Sequence, residues 1–245
     1  MLTLYTISEF ANLCGVSATT LRAWQRRYGL LKPERTEGGH RLYSQSDLKR
    51  VLSVLDWIKK GVPVSQIKPL LESDHNQTNN NWQQLQEKIL LLLQQGKIDA
   101  LRQLLFACGR DYPRSYLVDH VLRPLRVLIA ANTAPMLTLR TILDSLIIGY
   151  TSFCLDADKR SRGEKYILVG WKLSDPAEIW LEALKLSGAG KRIEVLAWPC
   201  TLLAPELFPD YHWILLTSTK LTALEEKQCE VWRNYVLSLQ VALLR

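Results

Sequence analysis

Residues 19–31 read Thr19-Thr20-Leu21-Arg22-Ala23-Trp24-Gln25-Arg26-Arg27-Tyr28-Gly29-Leu30-Leu31. Ser17 lies just before this run and is a residue type preferred at the N-cap of a helix. Gly29 lies where the end of a helix favours a residue with positive φ. The sequence therefore predicts a helix of about three turns between Ser17 and Gly29.

The predicted helix has an apolar face and a basic face. At about 100° per residue, Leu21, Trp24 and Tyr28 share one face. The opposite face carries three guanidinium groups, one hydroxyl and one methyl group, on Arg22, Arg26, Arg27, Thr19 and Ala23. Arginine binds guanine edges bidentately and, together with hydroxyl groups, also binds phosphates. In an isolated helix such arginines more often form a solvated surface. The neighbouring sequence is therefore needed to distinguish a solvated surface from a DNA-binding one.

The residues before this helix predict a second helix beside it. Residues 8–14 place apolar side chains at helical spacing, and Gly15-Val16-Ser17 forms a tight turn. A helix, a turn containing glycine and a basic second helix are the parts of a helix-turn-helix motif. This context favours DNA contact over a solvated surface.

The residues after the basic helix predict a hairpin. Gly38-Gly39 lies within residues 32–43 and is a two-residue hairpin signal. It predicts a two-stranded wing with Arg35, His40 and Arg41 near the tip.

Two further helices complete this part of the chain. Ser44 and Asp47 form a capping box in its wider form, which predicts a helix that runs to about Lys60. A shorter helix, at about residues 64–71, follows a break at Gly61-Val62-Pro63.

These motifs, in this order, resemble the DNA-binding domain of the MerR family of transcriptional regulators. The run from Leu21 to Tyr43 is most similar to the MlrA/BluR branch of that family, whose members are linked to biofilm-matrix control. The matching segments are Tyr5-Thr6-Ile7-Ser8-Glu9, Thr20-Leu21-Arg22-Ala23-Trp24, Arg27-Tyr28-Gly29-Leu30-Leu31-Lys32-Pro33, Arg35-Thr36-Glu37-Gly38-Gly39-His40-Arg41-Leu42-Tyr43 and Gly61-Val62-Pro63-Val64.

The resemblance implies a winged helix-turn-helix DNA-binding domain over residues 3–72. The helix-turn-helix would occupy about residues 6–28 and the wing about residues 32–43. The residues expected to contact double-stranded DNA are Thr19, Thr20, Arg22, Ala23, Arg26, Arg27, Tyr28, Lys32, Arg35, His40, Arg41 and Tyr43.

The resemblance also implies a function. A homodimer would bind a pseudo-palindromic promoter site with two recognition helices in successive major grooves. It would bend and untwist an overlong promoter spacer for RNA polymerase, which is indirect readout. Whether such a regulator is an activator or a repressor depends on the operator position. No nucleophile, base and acid occur together in a catalytic context, so we expect no catalytic residues and no enzyme.

The charge distribution agrees with a polyanionic partner. The chain has 245 residues, 47% of them hydrophobic, and a formal net charge of +7. Residues 1–73 hold eleven lysines and arginines but six aspartates and glutamates. Most of the positive excess therefore lies in the first third of the chain, as expected for a nucleic-acid-binding domain.

Five cysteines stand far apart, at positions 14, 108, 154, 200 and 229. With no Cys-x-x-Cys pair, they predict neither a disulfide framework nor a structural metal site, and each is expected to pack as a small apolar residue. The most apolar long stretch, residues 136–155, contains Arg140 and Asp144 and predicts a buried helix, not a membrane span. The N-terminus shows no secretory signal, so we expect a cytoplasmic, nucleoid-associated protein.

The rest of the chain predicts two more domains. Residues 73–81 are polar and read as a linker. Residues 82–160 carry four apolar helical patterns, which predict a helical bundle whose third helix is kinked at Pro124. Residues 164–245 alternate short apolar strands with helices, which predicts a small α/β domain with a mostly parallel sheet. The fold class is thus mainly α with a C-terminal α/β domain.

This architecture resembles cobalamin-binding photoreceptor regulators of the same family. In those proteins a histidine in an Asp-x-His-x-x-Gly loop after the first strand ligates cobalt. The corresponding loop here, Trp171-Lys172-Leu173-Ser174-Asp175-Pro176, has no histidine and no glycine. We therefore expect a cobalamin-type fold without cobalamin, with neither cofactor nor metal.

The strand ends of the α/β domain suggest a different use. Trp171, Lys172, Asp175 and Trp198 would lie at the rim where parallel sheets bind ligands. An indole beside a lysine and a carboxylate suits a protein interface, and the resemblance to the BluR branch implies a regulatory protein partner. In the competing interpretation, these residues only complete the core of their own domain and bind no partner. The alternative function is accordingly a sensor or adaptor whose C-terminal domain binds a protein or a small molecule and gates DNA binding.

Overall fold

The computed structural model describes residues 4–36, 38–72, 81–129, 133–159 and 163–244, without the side chains of Pro69 and Glu72. Nearly all of the predicted linker 73–81 lies outside these residues. The chain divides into two compact units, Met1–Arg140 and Thr141–Arg245.

The first part of the first unit is a head of short strands and four helices. Its elements are β1 (Leu4–Thr6), α1 (Ile7–Cys14), α2 (Ala18–Ala23) followed by a π-helical turn (Trp24–Tyr28), β2 (Glu34–Arg35), β3 (Arg41–Ser44), α3 (Gln45–Lys59) and α4 (Val64–Glu72). The predicted caps are present: Ser17 caps α2, and Ser44 and Asp47 form a capping box on α3. Gly29 ends the π-helical turn with φ 61°.

The basic helix is less regular than the sequence predicted. Its last five residues, Trp24–Tyr28, form a π-helical turn with i→i+5 hydrogen bonds in place of α-helix. This wider turn shifts the helical phase after Ala23. Leu21 and Trp24 are buried as predicted, whereas Tyr28 is half-buried at the edge of the apolar face.

The small sheet has three antiparallel strands in the order β1-β3-β2, not the two that the sequence predicted. Strand β1 was missed because its three residues are too few to show a period. The register pairs Arg35 with Arg41, and the Thr36 amide donates to the His40 carbonyl at 2.9 Å. The predicted two-residue turn at Gly38-Gly39 is therefore wrong. The chain turns between Thr36 and His40, and Gly39 takes the positive φ, 79°, that such hairpin turns require.

The rest of the first unit is helical. It contains α5 (Asn81–Gln94), α6 (Ile98–Asp111), α7 (Arg114–Leu117), a π-helical turn (Val118–Leu122) and α8 (Arg123–Leu128), and α9 (Ala134–Asp158) begins in it. The sequence predicted one helix over residues 113–131 with a kink at Pro124. The π-helical turn lies just before that proline, which supplies no amide hydrogen to the His120 carbonyl. That carbonyl accepts a hydrogen bond from Gln86 Nε2 at 2.7 Å.

The second unit holds an α/β fold. Its elements after α9 are β4 (Lys165–Gly170), α10 (Ala177–Gly188), β5 (Arg192–Val195), β6 (His212–Thr217), α11 (Ala223–Arg233) and β7 (Ser238–Leu243). The four strands lie in the order β5-β4-β6-β7 and all pairs are parallel. Alternate residues of β4 face opposite layers: Tyr166 and Leu168 pack with α10, and Ile167 and Val169 pack with α11. The predicted parallel α/β fold is thereby confirmed.

Four of the five cysteines pack as predicted, whereas Cys200 is only partly buried. All five are free thiols, and four of them are buried. Burial raises the pKa of Cys14 and of Cys108 to about 11, so these thiols stay protonated near neutral pH. Among the described residues, no helix combines the length and the apolar character needed to cross a membrane.

Candidate nucleic-acid interface

Helix α2 and the π-helical turn that continues it, together the basic helix, present exposed polar and cationic side chains. Thr19, Arg22, Arg26 and Arg27 are exposed, and Ala23 is partly exposed. They are held in place by the buried side chains of Leu21 and Trp24 on the other face. Thr20 has a local role, because its amide and its hydroxyl both hydrogen-bond to Ser17 Oγ, at 3.1 and 2.9 Å. The arginine face is thus available to a partner, whereas the Thr20 hydroxyl belongs to the helix cap.

The β2–β3 hairpin adds cations next to this helix. Lys32, Arg35 and His40 are exposed. Arg41 is half-buried, and its Nε donates to Gln25 Oε1 at 2.8 Å. This hydrogen bond ties the hairpin to the basic helix, so both contribute to one surface. Gln25 was not among the sequence-predicted residues, because nothing local marks its contact sixteen positions away.

Two tyrosines of the predicted DNA-contacting set are placed elsewhere by the structure. Tyr43 has 0% of its surface exposed, stacks on Phe10 at 4.4 Å between ring centroids, and is a core residue of the head. Burial raises the pKa of its phenol. The Tyr28 hydroxyl donates to the Arg110 carbonyl, on α6, at 2.7 Å. Both assignments to DNA are therefore withdrawn, because the Tyr43 side chain is buried and the Tyr28 hydroxyl is hydrogen-bonded within the protein.

A cavity of about 540 Å³ opens beside the end of the basic helix. Lys32, Arg50 and Lys68 line it together with the carboxylates of Glu34 and Asp47. Part of the Arg50 guanidinium already has a partner within the protein, since its Nε donates to the Leu30 carbonyl at 2.7 Å. Because both charge signs are present, this cavity is less suited to a polyanion than the arginine face is.

The predicted partner-binding rim of the second unit is only partly a surface. Trp171 is buried in the layer under α11, and its Nε1 donates to the Thr201 carbonyl at 3.3 Å. The Asp175 carboxylate accepts from the Ala177 amide at 3.0 Å, which supports the start of α10. Lys172 forms an ion pair with Glu225. These contacts correct the prediction for Trp171, whereas Trp198 is 73% exposed.

Several exposed apolar residues near Trp198 were missed by the sequence reasoning. Leu202, Leu207 and Phe208 are all exposed on the segment between β5 and β6. An apolar residue in a loop carries no periodic signal of exposure. Among the described residues, no group of three histidine, cysteine, aspartate or glutamate side chains has a geometry that would hold a metal ion.

Three family models match the chain in succession. The model described as MerR HTH family regulatory protein matches residues 5–74. The model of the helical domain of transcriptional regulator MlrA matches residues 82–156, and that of its C-terminal domain matches residues 163–239.

Known relatives match over different lengths. The HTH-type transcriptional regulator MlrA of Escherichia coli is 39% identical over 231 residues, which cover 94% of this chain and 95% of the relative. The HTH-type transcriptional repressor CarH of Myxococcus xanthus is 39% identical over 67 residues, 27% of this chain and 22% of the relative. A MerR-family transcriptional regulator of Bacillus cereus, known by crystal structure, covers 60% of this chain and 99% of its own at 22% identity and a TM-score of 0.29.

Proposed function

The chain belongs to the MerR family of transcriptional regulators, in the group of MlrA, and from this premise we propose that it binds a promoter as a homodimer through α2 and the β2–β3 hairpin. The observation that carries the proposal is the exposed arginine face of α2, tied to the hairpin by the Arg41–Gln25 hydrogen bond. Two such heads would place their helices in successive major grooves of a pseudo-palindromic site. The proposed contact residues are Thr19, Arg22, Ala23, Arg26, Arg27, Lys32, Arg35, His40 and Arg41.

The proposed mechanism is distortion of the promoter. The α2 arginines would read base edges, and the hairpin cations would bind the flanking backbone as a wing. The bound dimer would bend and untwist the spacer so that RNA polymerase meets both promoter elements. The likeness to the MlrA/BluR branch supports biofilm-matrix genes as targets, and the location that we propose is the cytoplasm, at the nucleoid.

We propose four segments with different roles. Residues 3–72 bind DNA, residues 73–81 link, residues 82–160 form the helical bundle and residues 164–245 form the α/β module. The three successive family matches support these limits.

The proposal is tested by selecting DNA on the purified full-length protein and sequencing the bound fragments. We expect one inverted repeat with half-sites about one helical turn apart. Recovery of fragments without a shared sequence would contradict sequence-specific binding. Mass spectrometry of the same preparation would detect a copurified small molecule.

Arg41→Ala is expected to weaken specific and non-specific DNA binding by the same factor, because the proposed contact is with phosphate or sugar. The slope of log K against log salt should fall by about one for each half-site. Fluorescence anisotropy at several salt concentrations measures both. An unchanged slope would remove Arg41 from the DNA interface and leave it only its hydrogen bond to Gln25.

A second candidate function is a sensor or adaptor whose C-terminal domain gates DNA binding. The exposed Trp198, with Leu202, Leu207 and Phe208 on the same segment, supports it, since aromatic anchors carry much of the energy of protein interfaces. Trp171 and Asp175 are not part of this proposed surface, because they support the fold of their own domain.

Trp198→Ala is expected to keep the stability of the protein within about 0.5 kcal/mol and to abolish capture of a regulatory protein from cell extract. Leu237→Ala is the matched control, since Leu237 is also exposed but stands just before β7, at the other edge of the sheet. Affinity capture with mass spectrometry compares the two variants with the wild type. Identical protein sets from all three would remove the partner-binding hypothesis from this segment.

A further inference from the structure

The end of the basic helix is joined to α6 by a hydrogen bond. The Tyr28 hydroxyl donates to the carbonyl oxygen of Arg110 at 2.7 Å, across 82 positions of sequence. The same hydroxyl lies 3.4 Å from Asp111 Oδ1. The last turn of α6 therefore lies beside Tyr28, the residue that follows Arg26 and Arg27 at the end of the basic helix.

Other contacts hold this junction in place. Trp82 Nε1 donates to the Lys59 carbonyl, and the Tyr112 hydroxyl donates to the Gly61 carbonyl, both at 3.2 Å. The Trp82 and Tyr112 rings pack at 4.7 Å between centroids. Gly61 has φ 83°, and a Cβ on it would lie 2.9 Å from the Trp82 amide nitrogen. The bundle is thus seated closely on the head within the first compact unit.

Arg110 is an exposed cationic residue whose backbone this hydrogen bond fixes beside Tyr28. It belongs to the last turn of α6, and its side chain is exposed. Arg27, which precedes Tyr28 in the chain, is exposed as well. A helix in the major groove is flanked by the phosphates of both strands, so a cation fixed beside the end of that helix is positioned for the backbone and not for base edges.

We propose that Arg110 carries the DNA interface beyond the head onto the helical bundle by binding a phosphate, and that the Tyr28 hydroxyl positions it there. The proposal rests on the proposed function of α2 as the recognition helix. The ligand is the backbone of double-stranded DNA, and the contact is independent of base sequence.

Arg110→Ala tests the contact itself. Each lost phosphate contact should lower the slope of log K against log salt by about 0.9, and the affinity near physiological salt about fivefold. Operator and unrelated DNA should weaken by the same factor. Arg110→Lys should retain most of the slope, because a lysine also neutralises a phosphate.

Arg102→Ala is the matched control. Arg102 is exposed on the same helix and pairs with Asp99 at 2.9 Å, so it removes the same charge from a site farther from the basic helix. If Arg110→Ala and Arg102→Ala changed the slope equally, the effect would be general charge and the specific contact would be overturned.

Tyr28→Phe tests the positioning. It removes the hydroxyl that donates to the Arg110 carbonyl and keeps the ring. We expect Arg110→Ala to lose less affinity in the Tyr28→Phe background than in the wild type, because the guanidinium is then no longer held at the helix. Strictly additive effects would overturn the role of Tyr28, and thermal unfolding of each variant checks that it is folded.

The same titrations separate this inference from the function on which it rests. Wild-type protein that binds operator and unrelated DNA equally would overturn the proposed function. Wild-type protein that prefers the operator, combined with an unchanged slope in Arg110→Ala, would overturn only the bundle contact.

Discussion

Phe10→Ala is expected to lower the free energy of unfolding of the head by about 3–5 kcal/mol. Phe10 has 0% of its surface exposed and stacks on Tyr43 with the ring planes 13° apart. Its removal leaves a cavity between α1 and β3, the two elements that support the basic helix and the hairpin. Hydrogen–deuterium exchange of peptides from residues 4–72 in the full-length chain measures the effect, and DNA binding should fall with it.

Two control variants test whether the loss of stability comes from the buried ring of Phe10. Leu13→Ala changes a side chain on the same helix that is 52% exposed, and it should stay within about 0.5 kcal/mol of the wild type. Tyr43→Phe keeps the ring on Phe10 and removes a buried hydroxyl that has no hydrogen-bond partner among the described residues. It should leave stability unchanged or raise it, with DNA affinity unaltered. Equal destabilisation by Phe10→Ala and Leu13→Ala would contradict the proposed core.

Arg22→Ala is expected to cost about 1–3 kcal/mol of binding free energy on the cognate site and to relax specificity at one base pair of each half-site. Arg22 is exposed on α2, one position after the buried Leu21 that anchors the helix. A guanidinium there is positioned to bind a guanine edge bidentately. DNA selection with wild type and variant, followed by affinity measurements on single-base operator changes, detects the relaxed position.

The affinities that Arg22→Ala loses on different DNA sequences distinguish a base contact from a phosphate contact. Weakening of all sequences by one factor would make Arg22 a phosphate contact and remove it from base readout. Thermal unfolding should change by no more than about 0.5 kcal/mol, so lost binding would not come from lost folding.

Local signals predicted the elements that present the site. The caps at Ser17 and Ser44 and the positive φ of Gly29 all lie where the sequence placed them. Each depends on hydrogen bonds or backbone angles within a few positions, so the residue type is enough to predict it. The hairpin loop was misassigned because the short strand register, and not the Gly38-Gly39 pair, decides which residues face each other.

Aromatic residues mark where such reasoning failed. Tyr28, Tyr43 and Trp171 each combine an apolar ring with a hydrogen-bonding group, which suits a core and an interface equally well. In the structure all three side chains contact other residues of the same chain, whereas Trp198 is exposed. The residues adjacent in sequence do not show whether such a side chain lies in the core or at the surface.

The sequence by itself determined the exposed arginines of the basic helix, the helix caps, the parallel sheet of the C-terminal region, and the family. These follow from interactions between near neighbours and from the period of apolar residues. Only the tertiary structure decided that Tyr43 is core, that Tyr28 ties the basic helix to Arg110, and that Trp171 lies under α11. Burial and hydrogen-bond partners depend on chain segments that meet across tens of residues, and no local pattern encodes which segments meet.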